Sequence, residues 1–200
     1  MAANECFLDS ATLRENVVSL ARNIGYVPRS RRAARANVSF NVSGLTETST
    51  LTLNTGIVCN GAGTGTNNIF SIPEDITVPV VDGFADFSNI EIYEGTLITE
   101  TFTYDSSLFN QRYILDNSFI DTSTIKVKVR ANVNSTSSVT YQQIDNIVGV
   151  TSTTASYLLQ EIEDERYELI FGDNTIGKKL SNDNYICLLY TSPSPRDWTI

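Results

Sequence analysis

The apolar positions of this chain recur with two different periods, and the change from one to the other comes early. Between residues 10 and 24, Leu13, Val17, Leu20, Ala21 and Ile24 return at helical spacing, with Arg14, Asn16, Arg22 and Asn23 set between them. One apolar stripe with a wet opposite side predicts an amphipathic helix. Asp9 or Ser10 offers an oxygen to the free amides at its start, Glu15 suits its first turns, and Gly25 supplies a left-handed stop. About four turns of helix are marginal alone in water, so the stripe needs the rest of the chain or a partner subunit to cover it.

After Pro28 the period becomes two. Ala36, Val38, Phe40 and Val42 alternate with polar residues up to Gly44, and Leu51 and Leu53 continue the pattern before the turn signal Asn54-Thr55-Gly56. Further strands are predicted over residues 68–72, 76–81, 90–104, 112–115, 124–133, 139–142 and 166–171. Turns fall at Asp82-Gly83, Asp116-Asn117 and Gly172-Asp173-Asn174. Residues 151–165 keep neither period; a short helix and a strand are both open there, and irregular structure leading into the 166–171 strand is the reading adopted. The fold expected is α+β and predominantly β, an N-terminal amphipathic helix followed by an antiparallel β-rich body. No internal repeat is visible, so a solenoid or propeller has no support.

Composition narrows the function. With 200 residues, 41% of them hydrophobic, the chain can bury one sizeable core or two small ones. A net charge of -9 argues against a general nucleic-acid binder, which needs a basic surface to displace counterions. No apolar run approaches the roughly 20 residues that span a bilayer, and the start lacks the pattern of a secretion signal, so a soluble chain made in a cytoplasm is expected. Cys6, Cys59 and Cys187 are odd in number and far apart, which suits neither a disulfide framework nor a zinc site. Histidine, the commonest neutral-pH base and metal ligand, is absent from the sequence.

The candidate chemistry mostly resolves into ordinary structure. The run Asn60-Gly61-Ala62-Gly63-Thr64-Gly65-Thr66 lacks the Lys-Ser/Thr of a phosphate loop and reads as a flexible loop. Asp75, Glu91, Glu94, Glu100 and Asp105 carry no motif that selects a catalytic pair, and Asp173 fits a tight turn better than a calcium loop. The sequons at Asn37, Asn41 and Asn134 read as accidental in a chain rich in Asn, Ser and Thr. Lys126, Lys128 and Arg130 share one side of a strand and read as a solvated face. No catalytic residue, cofactor, metal or small-molecule substrate is expected. Arg29, Arg31, Arg32 and Arg35 stand apart, four guanidinium groups within seven positions of an acidic chain. Such a cluster suits carboxylate partners in an assembly, against the plainer reading of a solvated loop with local ion pairs.

Two blocks carry a family resemblance. The first is the helix ending in Gly25-Tyr26, then Pro28-Arg29-Ser30-Arg31 and the alternating strand; the second is Phe171-Gly172-Asp173 with Gly177-Lys178-Lys179-Leu180 and Asn184-Tyr185-Ile186. In this order they resemble the baseplate wedge proteins of T4-like contractile-tailed bacteriophages, within the wider baseplate J-like group. The segments 93–102 and 121–129 resemble the same family. The resemblance covers nearly all of residues 4–186 and implies a structural subunit. It would associate with itself and with other wedge proteins in a ring around the tail hub, which rearranges when the sheath contracts. It implies a place in the virion, assembled in the bacterial host cytoplasm, and further sequence ahead of this helix. The surface expected to make subunit contacts is Leu13, Val17, Leu20 and Ile24 on the helix together with Arg29, Arg31, Arg32 and Arg35.

The expected organisation is a helix and basic hinge over residues 1–35, then a β-rich region over 36–186 with a break near 105–120. Residues 187–197, CLLYTSPSPRD, resemble the conceptual translation of a sequencing adapter, and 187–200 are therefore expected to lie outside the evolved fold. The alternative function is a β-rich carbohydrate-binding or adhesin-type surface module. It suits the Thr-rich strands and acidic charge but leaves the helix and hinge unexplained.

Overall fold

The computed structural model describes residues 6–7, 9–23, 30–46, 49–63 and 66–194. Its helix α1 spans Arg14–Asn23, followed by β1 (Arg35–Ser43), β2 (Thr50–Leu53), β3 (Gly56–Gly63), β4 (Thr66–Ile72), β5 (Ile76–Val81) and β6 (Phe84–Glu94). Then come β7 (Thr96–Thr103), β8 (Tyr113–Leu115), β9 (Asp121–Arg130), β10 (Ser138–Gln143), β11 (Ser156–Glu161), β12 (Tyr167–Phe171) and β13 (Tyr185–Ser192). The protein is predominantly β, with two sheets and very little helix. One sheet runs β2-β5-β6-β4-β3, with β1 also paired to β6; the other runs β7-β13-β9-β10-β11-β12-β8. All the registered pairs are antiparallel except β10 with β11.

The chain divides into two compact units that do not follow sequence order. The first takes Met1–Ser30, Thr101–Ser118 and Val127–Cys187; the second takes Arg31–Glu100, Phe119–Lys126 and Leu188–Ile200. The boundary expected at residue 35 falls inside the second unit, at the first residue of β1.

In the first unit, aromatic side chains do much of the filling. Phe102 and Tyr113, Tyr113 and Phe171, and Tyr141 and Phe171 meet edge to face with ring centres 5.2–5.6 Å apart. Tyr157 is buried beside them, and burial pushes its hydroxyl well above the usual tyrosine range. Among the described side chains of α1, Val18 and Ala21 are buried. The helix starts later than residue 10, because Ser10 and Ala11 donate their amides to the Phe7 carbonyl in a preceding turn. Leu13 then accepts from Asn16 and Val17.

The second unit is built on Ile72, Ala85, Phe87, Ile90 and Ile92, with Phe40 stacked on Phe87 at 4.9 Å. Strand β6 buries Ala85 and Phe87, then skips to Ile90, Ile92 and Glu94. The slip is a bulge: Val38 faces Ile90 but Phe40 faces Phe87. The extra residue is absorbed by Asn89 at φ 54, whose amide is taken by the Ser39 hydroxyl at 2.9 Å.

Three expectations are corrected by the structure. The single strand over 90–104 is two, β6 and β7, broken at Gly95, whose φ of +114 suits glycine alone and where a Cβ would overlap the Ser192 carbonyl. The glycine-rich run is chiefly ladder, with Asn60 paired to Ile69 and Gly61 to Asn68. Phe70 there packs 3.0 Å from where a Gly61 Cβ would stand, and so supplies the apolar cover that the glycine lacks. Part of the irregular stretch, Ser156–Glu161, is strand β11 between β10 and β12. Strand β13 runs into the adapter-like segment, with Leu188, Tyr190 and Thr191 fully buried.

Candidate functional site

Of the eight residues expected to form a contact surface, Ile24 and Arg29 lie outside the described residues. Leu13 is 52% exposed and Val17 and Leu20 are half-buried, while Ala21 of the same stripe and the neighbouring Val18 are buried. Those helix positions belong to the first unit, and Arg31, Arg32 and Arg35 to the second. The three arginines are brought together on one extended segment leading into β1.

That segment is fixed by a buried carboxylate. Asp121 has no exposed surface, and its Oδ2 accepts the Ala33 amide at 2.9 Å from 88 residues away. Its Oδ1 accepts the Ser123 amide at 2.9 Å and the Ser123 hydroxyl at 2.6 Å, the local turn favoured by Asp two residues before a serine. Three charge-assisted bonds in a water-free setting make Asp121 a strong anchor. One residue further on, the Ala34 carbonyl accepts the Glu94 amide at 2.8 Å.

The arginines on either side of Ala33 are thereby held in place. The Arg31 guanidinium lies 3.9 Å over the Phe119 ring. Arg35 donates to the Ser123 hydroxyl at 2.9 Å, sits 3.7 Å from Glu91 and lies 5.0 Å over the Tyr93 ring. The Tyr93 hydroxyl donates to Glu91 at 2.6 Å; burial first, and then that bond, push it up to about 12. Arg32 differs: it is exposed and makes no ion pair among the described residues. Arg35 is exposed as well but is engaged by Ser123 and Glu91. In the sequence Asp121 stands ahead of the strand predicted over 124–133, within the 121–129 segment that carries the resemblance. Its Asp-x-Ser spacing signals the local turn, and nothing signals its reach to Ala33.

The second block is a self-braced turn. Asp173 Oδ1 accepts the Thr175 and Ile176 amides at 2.8 and 2.9 Å, which holds its carboxyl below the usual range, the Ile176 bond contributing most. Asn174 receives the Lys179 amide at 3.0 Å, Gly177 donates to Thr151 at 3.1 Å and Lys178 to Thr154 at 2.8 Å. Gly177 has φ +79, and a Cβ on Gly172 would overlap the Gly177 backbone, so both glycines are required.

Beside this turn the first unit has a pocket of about 290 Å³ walled by Tyr104, Tyr113 and Phe171. Part of its polar lining is engaged, while the buried Tyr113 hydroxyl has no hydrogen-bond partner among the described residues. Gln111 accepts from the Asp105 amide and donates to the Thr103 carbonyl, and both Glu168 oxygens take Arg112 at 2.7 Å. Among the described residues no group of three or more Cys, Asp or Glu is placed to hold a metal ion, and no helix is long and apolar enough to cross a membrane. No protein-family model and no curated protein matches this chain.

Proposed function

We propose that this chain is a structural subunit of a phage tail baseplate wedge. It assembles with copies of itself and with other wedge proteins into the ring around the tail hub, and takes part in the rearrangement that accompanies sheath contraction. The supporting observation is that both blocks carrying the sequence resemblance are engaged in structure: the arginine segment is tied down through Asp121 and Ala33, and the Phe-Gly-Asp turn by its own amides. Such a protein acts through interface stability that differs between two assembly states, which is a shift of populations rather than a chemical step.

Arg32 is the residue of the cluster on which the contact test rests. Charge reversal at Arg31 would also strip the Phe119 ring of its cation, whereas Arg32→Glu changes an exposed charge alone. The variant is expected to keep the melting temperature of the parent and to weaken co-purification with the products of neighbouring tail genes by about tenfold, the range of a rim charge in a complementary interface. Unchanged co-purification removes the cluster from the interface. Sequencing of the locus tests the reading as a whole: tail genes alongside support it, and secretion or adhesin genes in their place overturn it.

A further inference from the structure

Residues 48–73 carry no charged side chain, although 18% of the chain is charged. The stretch contains β3 and β4, and β3 ends the six-stranded sheet, with β4 as its ladder partner among the described residues. Val58 packs against the core cluster, and the alternation of the strand leaves Ile57 and Cys59 exposed, Ile57 by 62%. Strand edges in proteins that stay apart are blunted by charge, proline or shortness. The edge strand β2 has only four residues, and β1 opens on Arg35 with its Glu91 contact. The eight-residue β3 has no charge and no proline.

We infer that β3 is a self-recognition edge, pairing antiparallel with β3 of a second copy across a twofold axis and joining two sheets into one. A twofold contact requires a surface complementary to itself, and an uncharged strand read antiparallel against its own copy meets that requirement. Two chains of net charge -9 repel over most of their surface, and β3 is where they meet without opposing charges. A strongly basic or acidic partner would find no matching charge on it. The backbone donors and acceptors of the outer edge supply the bonds, and the exposed Ile57 side chains supply apolar cover. The inference deepens, and rests on, the reading of the chain as a self-assembling subunit.

Cys59 lies near the middle of β3, so pairing along its length brings the two thiols within reach of a linker of about 8 Å, the span of opposed and diagonal cross-strand neighbours. The test combines sedimentation velocity with thiol cross-linking of the intact chain, the linked peptides being identified by mass spectrometry. The expected result is a dimer linked through Cys59 to Cys59. It should be weakened at least about tenfold by Ile57→Lys, which puts a charge on the uncharged edge and removes its apolar cover. Should that variant melt early, the linkage in the parent chain decides alone. A dimer that persists in Ile57→Lys without a Cys59 linkage overturns the edge and leaves the self-assembling subunit standing. A parent chain that stays monomeric up to about 0.1 mM overturns the edge as well, and co-purification with tail proteins then judges the wedge reading separately.

Discussion

Asp121 shows how much one side chain can organise. It reaches backward to the Ala33 amide and forward to Ser123, and so sets where Arg31 and Arg35 lie. Asp121→Ala leaves the buried Ala33 amide without its acceptor and is expected to cost about 1–3 kcal/mol in urea unfolding. A loss below about 0.5 kcal/mol, the scale of ordinary surface changes, would mean the segment is held by other contacts. A second residue-scale expectation concerns acid. Glu168 takes two bonds from Arg112, and that pairing holds its carboxyl below its ordinary value of 4.5. The folded state therefore gains from this group above pH 4.5 and loses the gain as pH falls through the depressed value. In Arg112→Met the acid limb of the stability curve should flatten below pH 4.5; an unchanged limb would assign the acid sensitivity to other carboxylates.

At the scale of elements, strands with an unbroken period were legible and interrupted ones were not. β2 and β5 alternate cleanly, β1 does so apart from the exposed Phe40, and all three lie close to where the pattern puts them. β6 was cut short at Ile90 because the bulge at Asn89 changes which parity faces the core, and a period of two cannot be followed through a change of phase. β11 escaped notice because consecutive residues Ser156 and Tyr157 are both buried, a pattern without alternation. Residues 187–192 carry the adapter-like text, and in β13 Leu188, Tyr190 and Thr191 are buried, with the Tyr190 hydroxyl donating to Glu100. Leu188→Ala is expected to cost about 2–5 kcal/mol by chemical denaturation, the range for a fully buried leucine. A cost below about 1 kcal/mol would detach this segment from the core.

For the whole molecule, net charge governs how copies meet. At about 0.15 M salt the screening length is about 8 Å, and each chain of charge -9 repels the next. Raising the salt should strengthen association through the uncharged β3 edge, since it removes the repulsion and leaves backbone bonds intact. The same change should weaken contacts made by Arg32. Sedimentation at about 0.05 and 0.5 M salt separates the two, because the slopes have opposite sign. Association that falls with salt in both the parent chain and Arg32→Glu would rule out β3 as the principal contact.

The sequence by itself determined the β-rich class, the positions of the regular strands, the arginine-dense segment and the glycines at tight turns, because these depend on period and on local backbone freedom. Only the tertiary structure decided what those features are joined to. The tie from Asp121 to Ala33 spans 88 residues, each unit is assembled from three separate stretches of chain, and Arg31 and Arg35 are engaged while Arg32 faces outward. Such long-range pairings follow from the packing that excludes water around a particular set of side chains. Local spacing carries no record of them, since the partner of a buried polar group is chosen by the fold that buries it.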